Sequence, residues 1–325
     1  MEIGSFIELE LPENREWYCQ EKNIARLNSG RAGIFHAFRL TGCKSIWLPY
    51  YLCPSVREFL KKYNVSVKFY HIDENFTPMD IEQNKGEAVL IVNYFGTVRR
   101  EVLNAIISKY ENVILDNSHS FFSEPVDNCY CVYSCRKFFG VPDGSYVVGK
   151  EAEALTDYYE QCHSSDTSAF LLERIEYGCA GKAYQDRMKN ESRINNEGVM
   201  LMSKLTRTIL DGIDYDVAIY KRSGNFNSAR DFFGGENRLA VGSRQELCGI
   251  PMVYPLLIEK DGLQHALVSR GHYQSSWWSE LIGIVPLNGF ETMLCRHIVP
   301  VTIDQRYGYD DIERVYNIVD RYLSE

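Results

Sequence analysis

The chain has 325 residues, 45 % hydrophobic and 24 % charged, with a formal net charge of −9 at pH 7. That length suggests two domains with ample apolar material for a large core. The acidic balance argues against a nucleic acid or an anionic membrane as partner, no apolar run reaches membrane-spanning length, and the acidic start "MEIGSFIELELPENREWYCQ" lacks a signal-peptide pattern, so a cytoplasmic protein is expected.

In chain order, "SGRAGIFHAFRLTG" predicts a helix from Arg31 to Leu40, closed by Gly42. "SIWLP" reads as a short strand, and "PSVREFLKKYN" as a helix with Pro54 in its first turn. "VSVKFYHI", "AVLIVNYFG" and "NVILD" read as strands, with "RREVLNAIISKY" an amphipathic helix between the last two. "CYCVYS" and "SYVVG" read as two buried strands joined by a loop, and the alternating run ends near Gly149. Strands alternating with helices imply a mostly parallel sheet covered on both faces. A polar helical region follows from Glu151 to about Asp211. "PMVYPLLIE", "HALVSRGHY", "IVPVTID" and the final helix "DIERVYNIVDRYL" then suggest a smaller α/β domain. The expected division is a large domain over 1–215 and a small C-terminal domain over 216–325. Cys129 and Cys131 alternate along a predicted strand, so the ten cysteines read as buried reduced thiols. The seven histidines show no zinc-like pairing, and no metal is expected.

Three stretches carry chemistry. In "LNSGRAGIFHAF", Ser29 and Gly30 precede a helix, whose free N–H groups and positive dipole end make an anion site. An ordinary N-cap serine with a turn glycine accounts for the same residues. In "NVILDNSHSFF", Asp116 ends an apolar strand and His119 lies three residues on. A carboxylate there caps a helix, pairs with a cation or holds a proton on a heterocyclic nitrogen, and the sequence leaves these open. In "YSCRKFFGVPDGSYVVG", Ser134 precedes Lys137 by three residues, and Lys137 sits among aromatic and apolar neighbours at a sheet end. It is either a loop lysine or a reactive one. A reactive lysine must lose its proton, and moving its pKa from about 10.4 to about 7.4 takes roughly 4 kcal/mol of environmental bias. Burial and the neighbouring Arg136 both push that way.

A phosphate cradle, an aspartate at a strand end and a lysine in the next turn, in that order, are the parts needed to hold pyridoxal 5'-phosphate. The chain resembles the DegT/StrS-type (DegT/DnrJ) aminotransferases, fold type I pyridoxal-phosphate enzymes that mostly aminate nucleotide-linked keto sugars. "SGRAGI" is similar to that family's Ser-Gly-Thr-Ala segment, "LPYYLCPSV" to its strand-end Pro and aromatic pair, "VNYFG" to its Val-His-x-x-Gly turn, and "LDNSH" to Asp-x-x-Gln/His. "KFFGVPDGS" has the spacing of Lys-x-x-x-x-x-Glu-Gly-Gly, with Asp143 and Ser145 as substitutes, and "IDQRYGYDDIERV" is similar to a C-terminal segment of some members.

The resemblance implies an α/β, aspartate-aminotransferase-like fold type I architecture. It implies Lys137 as the Schiff-base lysine, Asp116 as partner of the pyridinium and His119 on the ring-oxygen side. Ser29, Gly30, Arg31 and Ser134 would hold the phosphate. Arg31 stands where the family has threonine. Cys53 stands where an aromatic usually stacks on the ring, so Tyr50 or, preferentially, Tyr51 is expected to do the stacking. "MSKLTRTIL" stands in for the segment that reaches a neighbouring subunit's cofactor, with Ser203 or Arg207 in contact. The implied activity is ping-pong transamination from glutamate to a nucleotide-linked keto sugar, in polysaccharide biosynthesis, by a homodimer. Lys204, Arg207, Arg222 and Arg306 are the candidates for the nucleotide's diphosphate. Trp277 and Trp278 read as an exposed aromatic cluster. Other readings on the same fold are an amino-acid aminotransferase, a lyase or dehydratase, or a non-catalytic homologue. The family's sugar dehydratases replace the lysine by histidine, and a non-catalytic homologue has no need of Lys137 and Asp116.

Overall fold

A computed structural model describes residues 3–273 and 276–325. The first strand, β1 (Ile24–Leu27), leads into α1 (Gly30–Thr41). Ser29 starts this helix with extended backbone, φ −157°, and its hydroxyl accepts the Ala32 N–H at 3.3 Å. Gly42 stops it one residue beyond the predicted end, at φ +66°, where the left-handed conformation costs a glycine little. Then come β2 (Ser45–Pro49), α2 (Pro54–Lys62), β3 (Ser66–Ile72), β4 (Pro78–Met79), β5 (Glu87–Val92), α3 (Arg100–Ile107), β6 (Val113–Asp116), β7 (Tyr130–Ser134) and β8 (Ser145–Val148).

These strands form one sheet in the order β1-β8-β7-β6-β5-β2-β3-β4. The pairs β2–β3, β2–β5, β5–β6 and β6–β7 are parallel. β8 runs antiparallel to β7, and β1 antiparallel to β8. Two reversals restore direction, so β1 ends on the same edge of the sheet as β5, β6 and β7. The register shows it: Leu27 lies opposite Ser145, and Ser145 opposite Ser134. β5 and β6 are buried along their whole length, as a parallel sheet covered on both faces requires. α1 lies close against this sheet. A Cβ on Gly33 would meet Val132 Cγ1 at 2.9 Å and Val147 Cγ2 at 3.1 Å, so the helix is glycine there because β7 and β8 leave no room.

The polar stretch after Gly149 holds α4 (Ala169–Tyr177), α5 (Lys182–Asn196) and α6 (Lys204–Asp211), with short 3-10 turns at Thr156–Tyr158 and Ser165–Thr167. The remainder is α7 (Tyr215–Phe233), β9 (Val253–Leu257), α8 (Leu263–Ser269), α9 (Gly289–His297), β10 (Ile298–Thr302) and α10 (Tyr309–Ser324). β9 and β10 pair antiparallel. Their alternation serves two cores: Val253 and Leu257 pack with the large sheet, while Tyr254 and Leu256 join a second core with Phe226, Phe233, Val299, Val301 and Ile312. α7 likewise begins in the first core, at Tyr215 and Ala218, and ends in the second.

Two expectations need correction. The ten thiols are all unpaired, but only Cys129, Cys131, Cys135, Cys162 and Cys295 are buried, and Cys19 and Cys179 are exposed. Trp277 and Trp278 are not an exposed cluster. Both are half-buried, because their rings pack back onto the edge of the large sheet where β5 and β6 end.

Candidate active site

The sheet topology brings the three stretches together. Gly30, the first residue of α1, would with a Cβ meet Ser118 Oγ at 3.2 Å and Ser134 Cβ at 3.9 Å. The N-terminus of α1, the turn after β6 and the end of β7 therefore share one small space. Ser29 sits in it as the N-cap, and its carbonyl accepts the Ser145 hydroxyl at 2.8 Å. Sequence reasoning passed over Ser118, although it lies between Asp116 and His119 in the same turn.

Cations gather around this helix end. Arg31 is half-buried, and its Nε is buried with no hydrogen-bond partner. Burial lowers the Arg31 pKa, and Arg136 adds to the shift by repulsion. Arg136 is ion-paired with Glu191 from α5, so its charge is partly answered. The guanidinium of Arg31 is not. An orphaned cationic donor beside a helix N-terminus fits an anion.

Asp116 is buried at the end of β6, and its Oδ1 accepts the Ser118 N–H at 2.9 Å. Oδ2 has no hydrogen bond among the described residues, so one carboxylate oxygen remains for a ligand. Lys137 lies in a 3-10 turn, Cys135–Lys137, directly after β7. Its side chain is partly exposed. Burial nonetheless lowers its pKa below the ordinary lysine value, Arg136 adds to this, and Asp116 and Cys53 oppose it. The expected direction, toward a neutral amine, is the one found.

His119 is buried, and its Nδ1 accepts the Phe95 N–H at 3.1 Å. That bond leaves the ring proton on Nε2 when the imidazole is neutral. Burial holds its pKa well below the usual histidine range, with Lys137 as the second cause. The turn that supplies this donor is strained. Phe95 has φ +59°, and Gly96, at φ +82°, would with a Cβ lie 2.4 Å from His119 O.

Aromatic rings close over the histidine. Trp277 lies 4.7 Å from His119 and 5.1 Å from Phe95, centroid to centroid, and Trp278 lies 4.7 Å from Tyr51. Tyr51 does not present an open ring face: it is fully buried between Tyr94 and Trp278, and its hydroxyl donates to Trp277 O at 3.4 Å. Tyr50 instead stacks on Phe69 at 5.1 Å. The stacking role expected of Tyr51 or Tyr50 therefore has no support in their packing.

The outlying cations divide. Arg222 is fully buried and its donors are spent on two main-chain carbonyls and the Gln305 side chain, so it is withdrawn from the diphosphate candidates. Arg306 is paired with Asp304 at 2.7 Å. Lys204 and Arg207 are exposed on α6. Ser203 is the N-cap of that helix, accepting the Thr206 N–H at 3.1 Å, and its own N–H donates to Asp143 at 3.0 Å. It is a buried cap rather than a free contact.

No family model matches the chain, and no curated protein matches it. Solved structures do. DesV of S. venezuelae, solved with a ketimine intermediate, has a TM-score of 0.65 at 14 % identity, over 95 % of this chain and 86 % of that one. A sugar aminotransferase from Micromonospora echinospora has a TM-score of 0.63 at 14 % identity, over 93 % and 88 %. The E coli GDP-4-keto-6-deoxy-D-mannose-3-dehydratase, solved with bound hydrated PLP, has 0.61 at 16 %, over 92 % and 88 %. The chain shares their fold. The expected fold type I architecture is thus the observed one, and at these identities the likeness is one of fold.

Proposed function

We propose that the protein is a pyridoxal-phosphate-dependent aminotransferase that moves an amino group from an amino-acid donor, glutamate, to a nucleotide-linked keto sugar. One observation carries this reading: the Lys137 turn, the carboxylate of Asp116 and the cation-flanked N-terminus of α1 meet at one edge of the sheet. The donor set fits the cofactor. The main chain at Gly30 and Arg31, the Arg31 side chain and the hydroxyls of Ser29, Ser118 and Ser134 would hold its phosphate. Asp116 Oδ2 would keep a proton on the pyridine nitrogen, and His119 would line the ring. Once bound, the cofactor supplies an electron sink that makes a substrate C–H bond acidic. Lys137 Nζ, neutral at lower pH than a surface lysine, would bind the cofactor's aldehyde carbon and carry the proton between carbons. Trp277 and Trp278 would exclude water from the His119 side.

The same reading assigns 1–215 to the cofactor-binding domain and 216–325 to the small domain. It makes the protein a cytoplasmic homodimer acting in polysaccharide biosynthesis. Lys204 and Arg207 remain the candidates for the nucleotide's diphosphate. The solved structures of this fold whose names include a sugar support the sugar over a free keto acid as acceptor.

The test uses the purified protein loaded with pyridoxal phosphate. Glutamate should bleach the visible band and release 2-oxoglutarate. A panel of nucleotide-linked keto sugars should then restore the band. Restoration by 2-oxo acids alone would move the assignment to an amino-acid aminotransferase, and no bleaching by any amino acid would remove transamination.

A further inference from the structure

Arg222 sits midway along α7, between the residues that pack in the first core and those that pack in the second. It is the largest fully buried side chain among the described residues, at 1 % exposure. Its guanidinium has no carboxylate hydrogen bond. Nη2 donates to Phe138 O at 3.2 Å, Nη1 to Met252 O at 3.4 Å and Nε to Gln305 Oε1 at 2.7 Å, while the Phe138 ring lies 4.5 Å from the guanidinium carbon. Burial pulls its pKa down to about 10, with Asp304 opposing and Arg306 adding to the shift. A buried charge of this kind is expensive, and an apolar side chain of similar volume would often serve stability as well or better.

The partners explain the expense. Phe138 follows Lys137 directly. Met252 donates its N–H to both Phe95 O, at 3.1 Å, and His119 O, at 2.9 Å. Gln305 follows β10 and donates its own Nε2 to Phe138 O at 3.0 Å. One planar fork therefore ties the Lys137 turn, the His119 turn and the second core to each other. We propose that Arg222 is a positioning residue for Lys137, fixing the main chain beside it so that the amine stays at the sheet edge. The purpose of that positioning rests on the proposed function; the tie itself does not. The charged and titratable groups facing Lys137 are Asp116 on β6, Cys53 at the start of α2, Arg136 in its own turn and His119 after β6. Arg222 is not among them, so its effect passes through the backbone.

Competitive labelling with acetic anhydride across pH, read by mass spectrometry, measures the pKa and reactivity of Lys137 in the cofactor-free protein. With Arg222→Lys, which keeps the charge and loses the fork, the turn loosens toward solvent. The Lys137 pKa should rise by about one unit and its labelling at pH 8 fall about tenfold. Gln305→Leu removes the second donor to Phe138 O and should move both readouts the same way by less. An unchanged Lys137 profile in both folded variants would overturn the proposal. If Arg222→Lys fails to fold, Gln305→Leu alone decides, and an unchanged profile there rejects it. None of these readouts involves pyridoxal phosphate, so failure of the aminotransferase reading would show separately, as a missing visible band.

Discussion

Asp116 and Arg31 have proposed roles that single substitutions test. The Asp116 carboxylate would act on charge that develops during reaction rather than on cofactor affinity alone. Asp116→Asn keeps the shape and the Ser118 contact, so the protein should still take up pyridoxal phosphate while transamination falls by about 10²-fold or more. Near-normal turnover would reduce Asp116 to a structural cap. Arg31 has a buried Nε with nothing to bond, so Arg31→Met should be tolerated by the fold and cost only the anion. Equilibrium dialysis should show pyridoxal phosphate bound at least tenfold more weakly, the size of one hydrogen bond to a charged group. The helix cap at Ser29, the strand end at Asp116 and the turn at Lys137 were legible because each has a local signature. Ser118, Arg222 and the tryptophans were missed or misassigned because their partners lie far away in sequence. Nothing near Arg222 in the chain announces Phe138 O or Gln305.

The turn after β5 shows what an element contributes. Gly96 permits a left-handed backbone where a Cβ would lie 2.4 Å from His119 O. Gly96→Ala should destabilise the protein by about 1–3 kcal/mol in denaturant unfolding and disturb His119, which depends on the adjacent Phe95 N–H. An unchanged midpoint would mean that the turn yields easily. α6 contributes differently. Its N-cap is fastened to Asp143, in the loop that also carries Lys137, so Lys204 and Arg207 are held at a fixed distance from the site. Arg207→Ala or Lys204→Ala should raise the KM for the sugar about tenfold and leave the glutamate half-reaction nearly unchanged. If neither changes sugar affinity, the diphosphate is held elsewhere. The strands and α1 were readable from apolar runs, Pro54 and Gly42. The trimming of α3 to Arg100–Ile107 was not, since its last predicted turn is displaced by the loop into β6.

At the scale of the molecule, two buried imidazoles set an acid limit. His36 bridges Tyr159 OH at 2.9 Å and Ala152 O at 2.7 Å, and burial lowers its pKa as it does that of His119. An unfolded chain protonates both near pH 6.5, whereas the folded chain resists. The stability they contribute is fully present above that value and is lost as pH falls toward their folded pKa values. Each should contribute a slope of about 1.4 kcal/mol per pH unit below 6.5. Unfolding followed from pH 7.5 to 5.5 should therefore show a steep acid loss, shallower in His36→Asn. A flat profile would mean that both rings take up protons as readily in the fold as in the unfolded chain. Sedimentation should find a homodimer, and a stable active monomer would contradict that expectation. Two cores of α/β type were readable from the alternation of strand and helix patterns. Their interleaving along β9 and α7 was not, because a buried strand shows the same apolar run whichever core each face serves.

The central claim is that Lys137 is the residue that takes pyridoxal phosphate. Borohydride added to the loaded protein reduces the lysine–cofactor bond and makes it permanent, and peptide mapping then locates it. One pyridoxyl group is expected, on the peptide carrying Lys137, and none in Lys137→Ala. Stoichiometric labelling at another lysine, such as Lys150, or no labelling above background, would contradict it.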